Sequence, residues 1–287
     1  MSQDNFMMRL RSAYPHFTKA EKKVADFILE HAQEVLFMSI TDLADACCVG
    51  ETTVFRFCKS MKLQGYQEFK IQLSMNIQSE DKEKGQDVMT TNVSMDDTFS
   101  DMADKLLNSN INVLKETRVL LDSGKVDLLV QKMTDAERIF FFGVGASQIM
   151  AMMCANKFLR ISNKIYCYTD SHMQTMVAST LKENDVAIVL SYSGSTKDSI
   201  LIAKTAKQSG AYVAGITRFA KSPLTNQADT VLLCGANEGP LQGGSTTAVI
   251  SQMYIMEVLY IEYYRKNYDD SYKNNQKTAQ SIIDKMY

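Results

Sequence analysis

The chain has 287 residues, 45% of them hydrophobic and 22% charged, with a formal net charge of -2. That length fits about two compact units, and the balance of apolar and charged residues excludes wholesale disorder. Near neutrality excludes a globally basic nucleic-acid binder, so any contact with DNA must come from a local patch. In chain order, the first block is helical. Thr18 and Glu21 have the spacing of a capping box, and Val24, Phe27 and Ile28 then line one helix face. A second helix is predicted from near Ser39, with Asp42 three residues on. A third runs from about Glu51 to Lys62, Gly65 breaks it, and a fourth covers Tyr66 to about Ile77. Residues 78–98 are polar and charged with little apolar periodicity, the mark of a linker. The expected domains are therefore 1–77, the linker 78–98, and 99–287.

The second domain opens with helices predicted over Phe99–Leu121 and Val126–Met133. Strand candidates follow at Arg138–Phe142, Lys164–Tyr168, Asp185–Leu190, Tyr212–Thr217 and Thr230–Cys234, mostly separated by helical text. Short β-branched and aromatic runs at this spacing predict βαβ units and a five-stranded parallel sheet with helices on both faces. Ser245–Tyr264 reads as a long apolar helix. The tail from Asn267 to Tyr287 reads as polar, ending in a short helix. The uncharged stretch Ile139–Asn156 approaches membrane-span length, but Gly143, Gly145, Ser147 and Gln148 interrupt it, so it reads as strand, loop and helix. The N-terminus lacks a basic n-region followed by an apolar h-region, so no secretory signal is expected. Six cysteines form neither a C-x-x-C pair nor a set with zinc-ligand spacing. Reduced thiols in a cytoplasmic protein, with no metal, are the expectation.

Two short helices joined by a tight turn need apolar residues at a few fixed places and small ones where backbones meet. Leu43 and Cys47 supply the first helix, Val49 the turn, and Val54, Phe57 and Met61 the second. Ala44 and Cys48 are the small positions, with Gly50 in the turn. The opposite face of the second helix then carries Thr52, Thr53, Arg56, Lys59 and Ser60, side chains able to reach base edges and phosphates in a major groove. Residues 1–77 hold nine basic and nine acidic side chains, yet between Arg56 and Lys70 four bases face one acid. The positive charge thus sits where a reader of DNA needs it. Plain packing of a helical hairpin uses the same offsets, and pattern alone leaves both readings open.

Two loops at strand ends are built for an anion. Gly143-Val144-Gly145-Ala146-Ser147 follows a strand and opens a helix, so the backbone can approach a ligand closely and the helix N-terminus favours negative charge. The third glycine and the downstream acid of a dinucleotide fingerprint are missing, so no nicotinamide or flavin cofactor is expected. The alternative is an ordinary tight turn. Ser191-Tyr192-Ser193-Gly194-Ser195-Thr196 carries four aliphatic hydroxyls and a run of N–H groups at a helix start, which can hold a phosphate without a lysine or a metal. The following helix turns Ile200, Ala203 and Ala206 inward and stops at Gly210. His172, after Asp170 and Ser171, falls on the same rim, where it either meets the ligand or is structural. Gly243 to Thr247 opens the long helix and reads first as a cap. Met150, Met152 and Met153 read as core or subunit contact.

The chain resembles the RpiR-type, phosphosugar-responsive transcriptional regulators. Thr18-Lys-Ala-Glu21, Ser39-Ile-Thr-Asp-Leu-Ala44, Thr52-Thr-Val-Phe-Arg56-Phe-Cys-Lys59 and Gly65-Tyr-Gln-Glu-Phe-Lys70 are similar to that family's helix-turn-helix. Phe142 to Ser147, Asp170-Ser-His172 and Ser191 to Thr196 resemble its sugar isomerase (SIS) domain. Cys47-Cys48 departs from the small residues that the pattern favours at the turn. The resemblance implies an α-helical helix-turn-helix domain followed by a three-layer α/β SIS domain. It also implies operator DNA and a phosphorylated sugar of carbohydrate metabolism as partners, and homodimers or larger assemblies. The phosphate falls to Ser191, Ser193, Ser195 and Thr196, with Gly145 and Ser147 beside it. A sugar-phosphate isomerase is the rival reading. It would need a base such as Glu238 or His172, neither of which has a visible partner, while Glu183 reads as solvated. A scaffold without a ligand is the third.

Overall fold

A computed structural model describes residues 6–83, 88–90, 93–235, 239–241 and 245–285. They fall into two units, residues 1–111 with 237–245 and residues 112–236 with 246–287.

In the first unit, α1 (Phe6–Ala13) leads through a 3-10 turn at Tyr14–His16 into α2 (Lys19–Glu30). The predicted capping box is formed: the Thr18 hydroxyl accepts from the Glu21 N–H, and Glu21 accepts from the Thr18 N–H. The short α3 (Ala32–Val35) precedes α4 (Ile40–Ala46), which a second box between Ser39 and Asp42 starts. After a tight turn comes α5 (Glu51–Ser60), then α6 (Tyr66–Glu83). Leu43, Val54 and Phe57 are fully buried, and the Phe57 ring meets those of Phe17 and Phe69 at centroid distances of 5.2 and 6.0 Å. Cys48 is exposed, so it is not a small residue in a backbone contact as expected. Its part is conformational: at φ 51 it takes the left-handed position that ends α4, and the Val49 N–H reaches back to the Ala44 carbonyl. Lys62, at φ 61, does the same for α5, which is why that helix stops before Lys62. α6 continues to Glu83, past the predicted Ile77, because helix formers run on until Gly85. The segment read as linker also holds two short antiparallel strands, β1 (Val88–Thr90) and β2 (Val93–Ser94).

Thr98 and Asp101 form another reciprocal cap at the start of α7 (Phe99–Leu120), followed by α8 (Ser123–Asp135). The strands β3 (Arg138–Phe142), β4 (Ile165–Cys167), β5 (Asp185–Leu190), β6 (Tyr212–Thr217) and β7 (Thr230–Leu233) alternate with α9 (Ala146–Leu159), α10 (Ser171–Ala178) and α11 (Lys197–Gln208). They form an all-parallel sheet in the order β4-β3-β5-β6-β7. Successive residues point to opposite faces, and both faces are dry. Ile139, Phe141, Val186 and Ile188 pack under α8, α9 and α12 (Thr246–Lys266); Phe140, Phe142, Ala187 and Val189 pack under α10 and α11. α11 buries Ser199, Ile202, Ala203 and Ala206, so Ile202 takes the inward place expected of Ile200. The tail is longer in its helix than predicted: α13 spans Tyr268–Gln280. Asn267 bonds Thr134, and Ser271 is buried, so the polar segment is held by tertiary contacts. No helix among the described residues is long and apolar enough to cross a membrane.

Candidate functional site

On α5, the outward positions are Thr52, Phe55, Arg56, Lys59 and Ser60, all exposed, while Thr53 is half-buried. The helix is held rigidly behind that face. Arg9 donates to the Met61 carbonyl at 3.1 Å, closing the helix end. The Ser60 hydroxyl donates to Glu21 at 2.8 Å, so Ser60 is tied into the internal network as well as standing at the surface. Burial alone would raise the Glu21 carboxyl. Hydrogen bonds from Thr18 and Ser60, with the Arg56 charge nearby, outweigh that and lower it. Glu21 therefore stays ionised at neutral pH and fixes both the start of α2 and the end of α5. α5 begins at Gly50 without a side-chain cap, and Glu51 supplies the negative charge in its first turn.

In the second unit the sheet order reverses beside β3. The chain steps from β3 out to β4, then returns to place β5 on the other side of β3. The helix after β3 covers one face and the helix after β5 covers the other. This is a topological switch point, where open α/β sheets leave a crevice at the carboxyl ends of the strands. The two predicted loops flank it. Gly145 stands at φ 63 and precedes α9; Gly194 stands at φ 61 in the loop before α11. Neither α9 nor α11 has a side-chain cap at its start, so both present backbone N–H groups there. α10, between them in the chain, is capped by Asp170.

Both loops are braced from neighbouring elements. Gln174 on α10, at 0% exposure, accepts the Gly143 N–H at 3.2 Å and donates to the Gly143 carbonyl at 2.9 Å. Its Nε2 also reaches Gln148 Oε1 at 2.6 Å, and Gln148 in turn donates to Cys167 Sγ at 3.6 Å. A Cβ on Gly143 would collide with the Ser147 backbone, which explains the glycine. The second loop leans on the end of β6. The Arg218 N–H and the Thr217 hydroxyl each donate to the Tyr192 carbonyl at 3.0 Å, and the Leu224 N–H donates to the Gly194 carbonyl at 2.9 Å. Gly194 packs so closely on Ser222 that a Cβ would overlap it.

Of the predicted ligand residues, Ser191 is 2% exposed, and its Oγ has no partner among the described residues. A buried hydroxyl without a partner costs free energy unless something bonds it. Ser193 and Ser195 are half-buried, the Ser195 hydroxyl donating to the Ser193 carbonyl at 2.8 Å; Thr196 is exposed at the helix start. Gly145 is exposed and Ser147 half-buried on the facing loop. His172 is exposed in the first turn of α10. Gln174 is not singled out in the sequence, and Gln148 only as a polar break in an apolar stretch; the local signal of each is a polar residue on an otherwise apolar helix face. Glu238, Gly243 and Gly244 lie outside the described residues. Glu183 is exposed at the opposite, amino-terminal end of β5. The cysteines are free thiols, and burial pushes Cys58 and Cys154 up to about 12 and Cys47 to about 11, so these three are not nucleophiles.

Residues 4–80 match the model of the helix-turn-helix domain of the rpiR family, and residues 132–262 match the SIS domain. An HTH-type transcriptional regulator of Haemophilus influenzae is 34% identical over 280 residues, covering 98% of this chain and 97% of that protein. The HTH-type transcriptional regulator HexR of Pseudomonas aeruginosa is also 34% identical, over 89% of this chain and 87% of its own. Among solved structures, the NanR protein of Vibrio vulnificus complexed with ManNAc-6P superposes with a TM-score of 0.85 at 31% identity, covering 98% of this chain and 99% of that one.

Proposed function

The chain belongs to the RpiR family of helix-turn-helix transcriptional regulators with a SIS domain, and from that premise we propose that it binds operator DNA under the control of a phosphorylated sugar of carbohydrate metabolism. The functional division is 1–77 for DNA, 78–98 as connector and 99–287 for the effector. Thr52, Thr53, Arg56, Lys59 and Ser60 contact the duplex. Ser191, Ser193, Ser195 and Thr196 hold the phosphate with the N–H groups at the start of α11. Gly145 and Ser147 close the other side of the crevice, and His172 approaches the sugar from α10. The observation that carries the effector reading is the buried, unpartnered Ser191 hydroxyl at the switch point. A phosphate oxygen there would accept its hydrogen bond and those of the uncapped helix start. That the similar NanR is seen with a phosphosugar supports the ligand class.

The protein works as a homodimer or homotetramer in the cytoplasm. Ile149, Met152 and Met153 on α9, with Met253 and Ile261 on α12, are exposed apolar side chains that a second copy would cover. Sedimentation should show an oligomer that Met152→Glu with Met153→Glu dissociates; an unchanged mass would remove this face from the interface. The SIS domain acts as a sensor and turns nothing over, a reading supported by relatives named as transcriptional regulators. Effector and operator affinities are then linked reciprocally.

The test is operator binding by the full chain with and without a panel of phosphosugars, together with Ser193→Ala. At least one sugar should shift DNA affinity, and the variant should lose that response while keeping ligand-free DNA binding. If no phosphosugar shifts it, the sensor reading is wrong. Turnover of a phosphosugar abolished by Glu238→Gln would replace it with the isomerase.

A further inference from the structure

Phe55 is 39% exposed on α5, where the neighbouring outward positions are polar or charged. A single exposed apolar side chain is ordinary on a protein surface. Two observations set this one apart. Thr52, Phe55, Arg56 and Lys59 recur at the spacing of one helix face, so the ring stands among the side chains assigned to the groove. The ring is also held in place. Its Cε2 lies 3.6 Å from where a Cβ of Gly65 would be, so the ring rests against the backbone there at ordinary packing distance, and Lys59 Nζ sits 5.3 Å from its centroid. An aromatic fixed in this way loses little rotamer freedom on binding.

We propose that Phe55 is a specificity-determining residue that packs on the C5-methyl group of a thymine in the major groove. The inference rests on the DNA-binding reading above. The thymine methyl is the apolar feature of the major-groove edges, and the other edge groups there are hydrogen-bond donors and acceptors. A phenyl ring over one of those would strip water from a polar group and return no hydrogen bond. Thymine is therefore the base that this ring accepts at least cost. Lys59 beside it remains able to reach a phosphate or a guanine.

The experiment begins with the full-length protein selecting duplexes from a random library. Affinities are then measured for the enriched duplex and for copies with deoxyuridine replacing each thymine in turn, using wild type, Phe55→Ala and Phe55→Leu. At the contacted thymine, loss of the methyl should weaken wild type about fourfold, the scale of one apolar carbon leaving water. Phe55→Ala should show no such penalty there, and Phe55→Leu should keep part of it. Thermal unfolding confirms that the variants fold, and the leucine variant preserves the test should the alanine one not. If Phe55→Ala keeps the wild-type uracil penalties at every position, the inference is wrong while the DNA reading stands. If wild type enriches no sequence, both fall.

Discussion

In the helical domain, side-chain polar groups are turned on one another. Thr18 answers Glu21, Ser39 answers Asp42, and Ser60 reaches back to Glu21. At the crevice of the sheet the arrangement is the reverse: α9 and α11 start without side-chain caps, and the Ser191 hydroxyl is buried without a partner. The contrast fits what each surface is proposed to bind. A duplex is read by side chains projecting from a rigid helix, so the helix is locked from behind and its outer face carries the chemistry. A small anion is held by backbone donors, so the loops are braced from outside and the helix starts behind them carry no side-chain cap.

That contrast can be broken most severely at the first loop. Gly143→Val should cost roughly 3 kcal/mol or more in urea unfolding, because its Cβ would meet the Ser147 backbone, and it should abolish phosphosugar binding by calorimetry. A variant of wild-type stability would show that the loop can yield. Gln174→Leu comes next. It leaves both polar groups of the buried Gly143 peptide without the amide, so about 2–3 kcal/mol of stability should go, with effector affinity reduced and DNA affinity kept. Equal loss of both affinities would make Gln174 merely structural. On the opposite surface, Arg56→Ala should remove about 1–3 kcal/mol of DNA affinity in a titration and leave effector binding untouched. The smallest effect is a gain. Cys48→Gly relieves a left-handed residue at φ 51 and should stabilise the helical domain by about 1 kcal/mol in thermal unfolding. No gain would mean that the Cys48 thiol compensates for the strain.

Much of this was legible in the residues. The capping boxes at Thr18 and Ser39 are visible because a hydroxyl and a carboxylate three residues apart meet at a helix start whatever lies around them. Arg138–Phe142, Asp185–Leu190 and Tyr212–Thr217 were read with the bounds they have, because apolar runs of that length buried on both faces have little choice of conformation. β4 and β7 proved shorter than read, and they are the edge strands, where pairing on one side alone ends sooner. The serine loop and the glycine turn stood out by composition. Gln174 did not, since its partner Gly143 lies 31 positions away, and nothing local distinguishes a clamping amide from a solvated one. Phe55 was read past for the same reason: its exposure depends on where Gly65 places the next helix.

The chain alone thus determined the five strands of the parallel sheet and most of the helices, though not α1, α3 or the hairpin β1–β2, since caps and hydrophobic periods act over three or four residues. It determined the kinds of atom offered at the reader helix and at the two loops as well. Only the packed structure decided that β4 and β5 flank β3, which makes a crevice of two loops 48 residues apart from Gly143 to Ser191. It alone decided which hydroxyls are spent internally and that the Ser191 hydroxyl, like that of Ser271 on α13, is buried without a partner among the described residues. Those outcomes rest on contacts between distant residues, formed when the sheet is covered on both faces, and no local period encodes them.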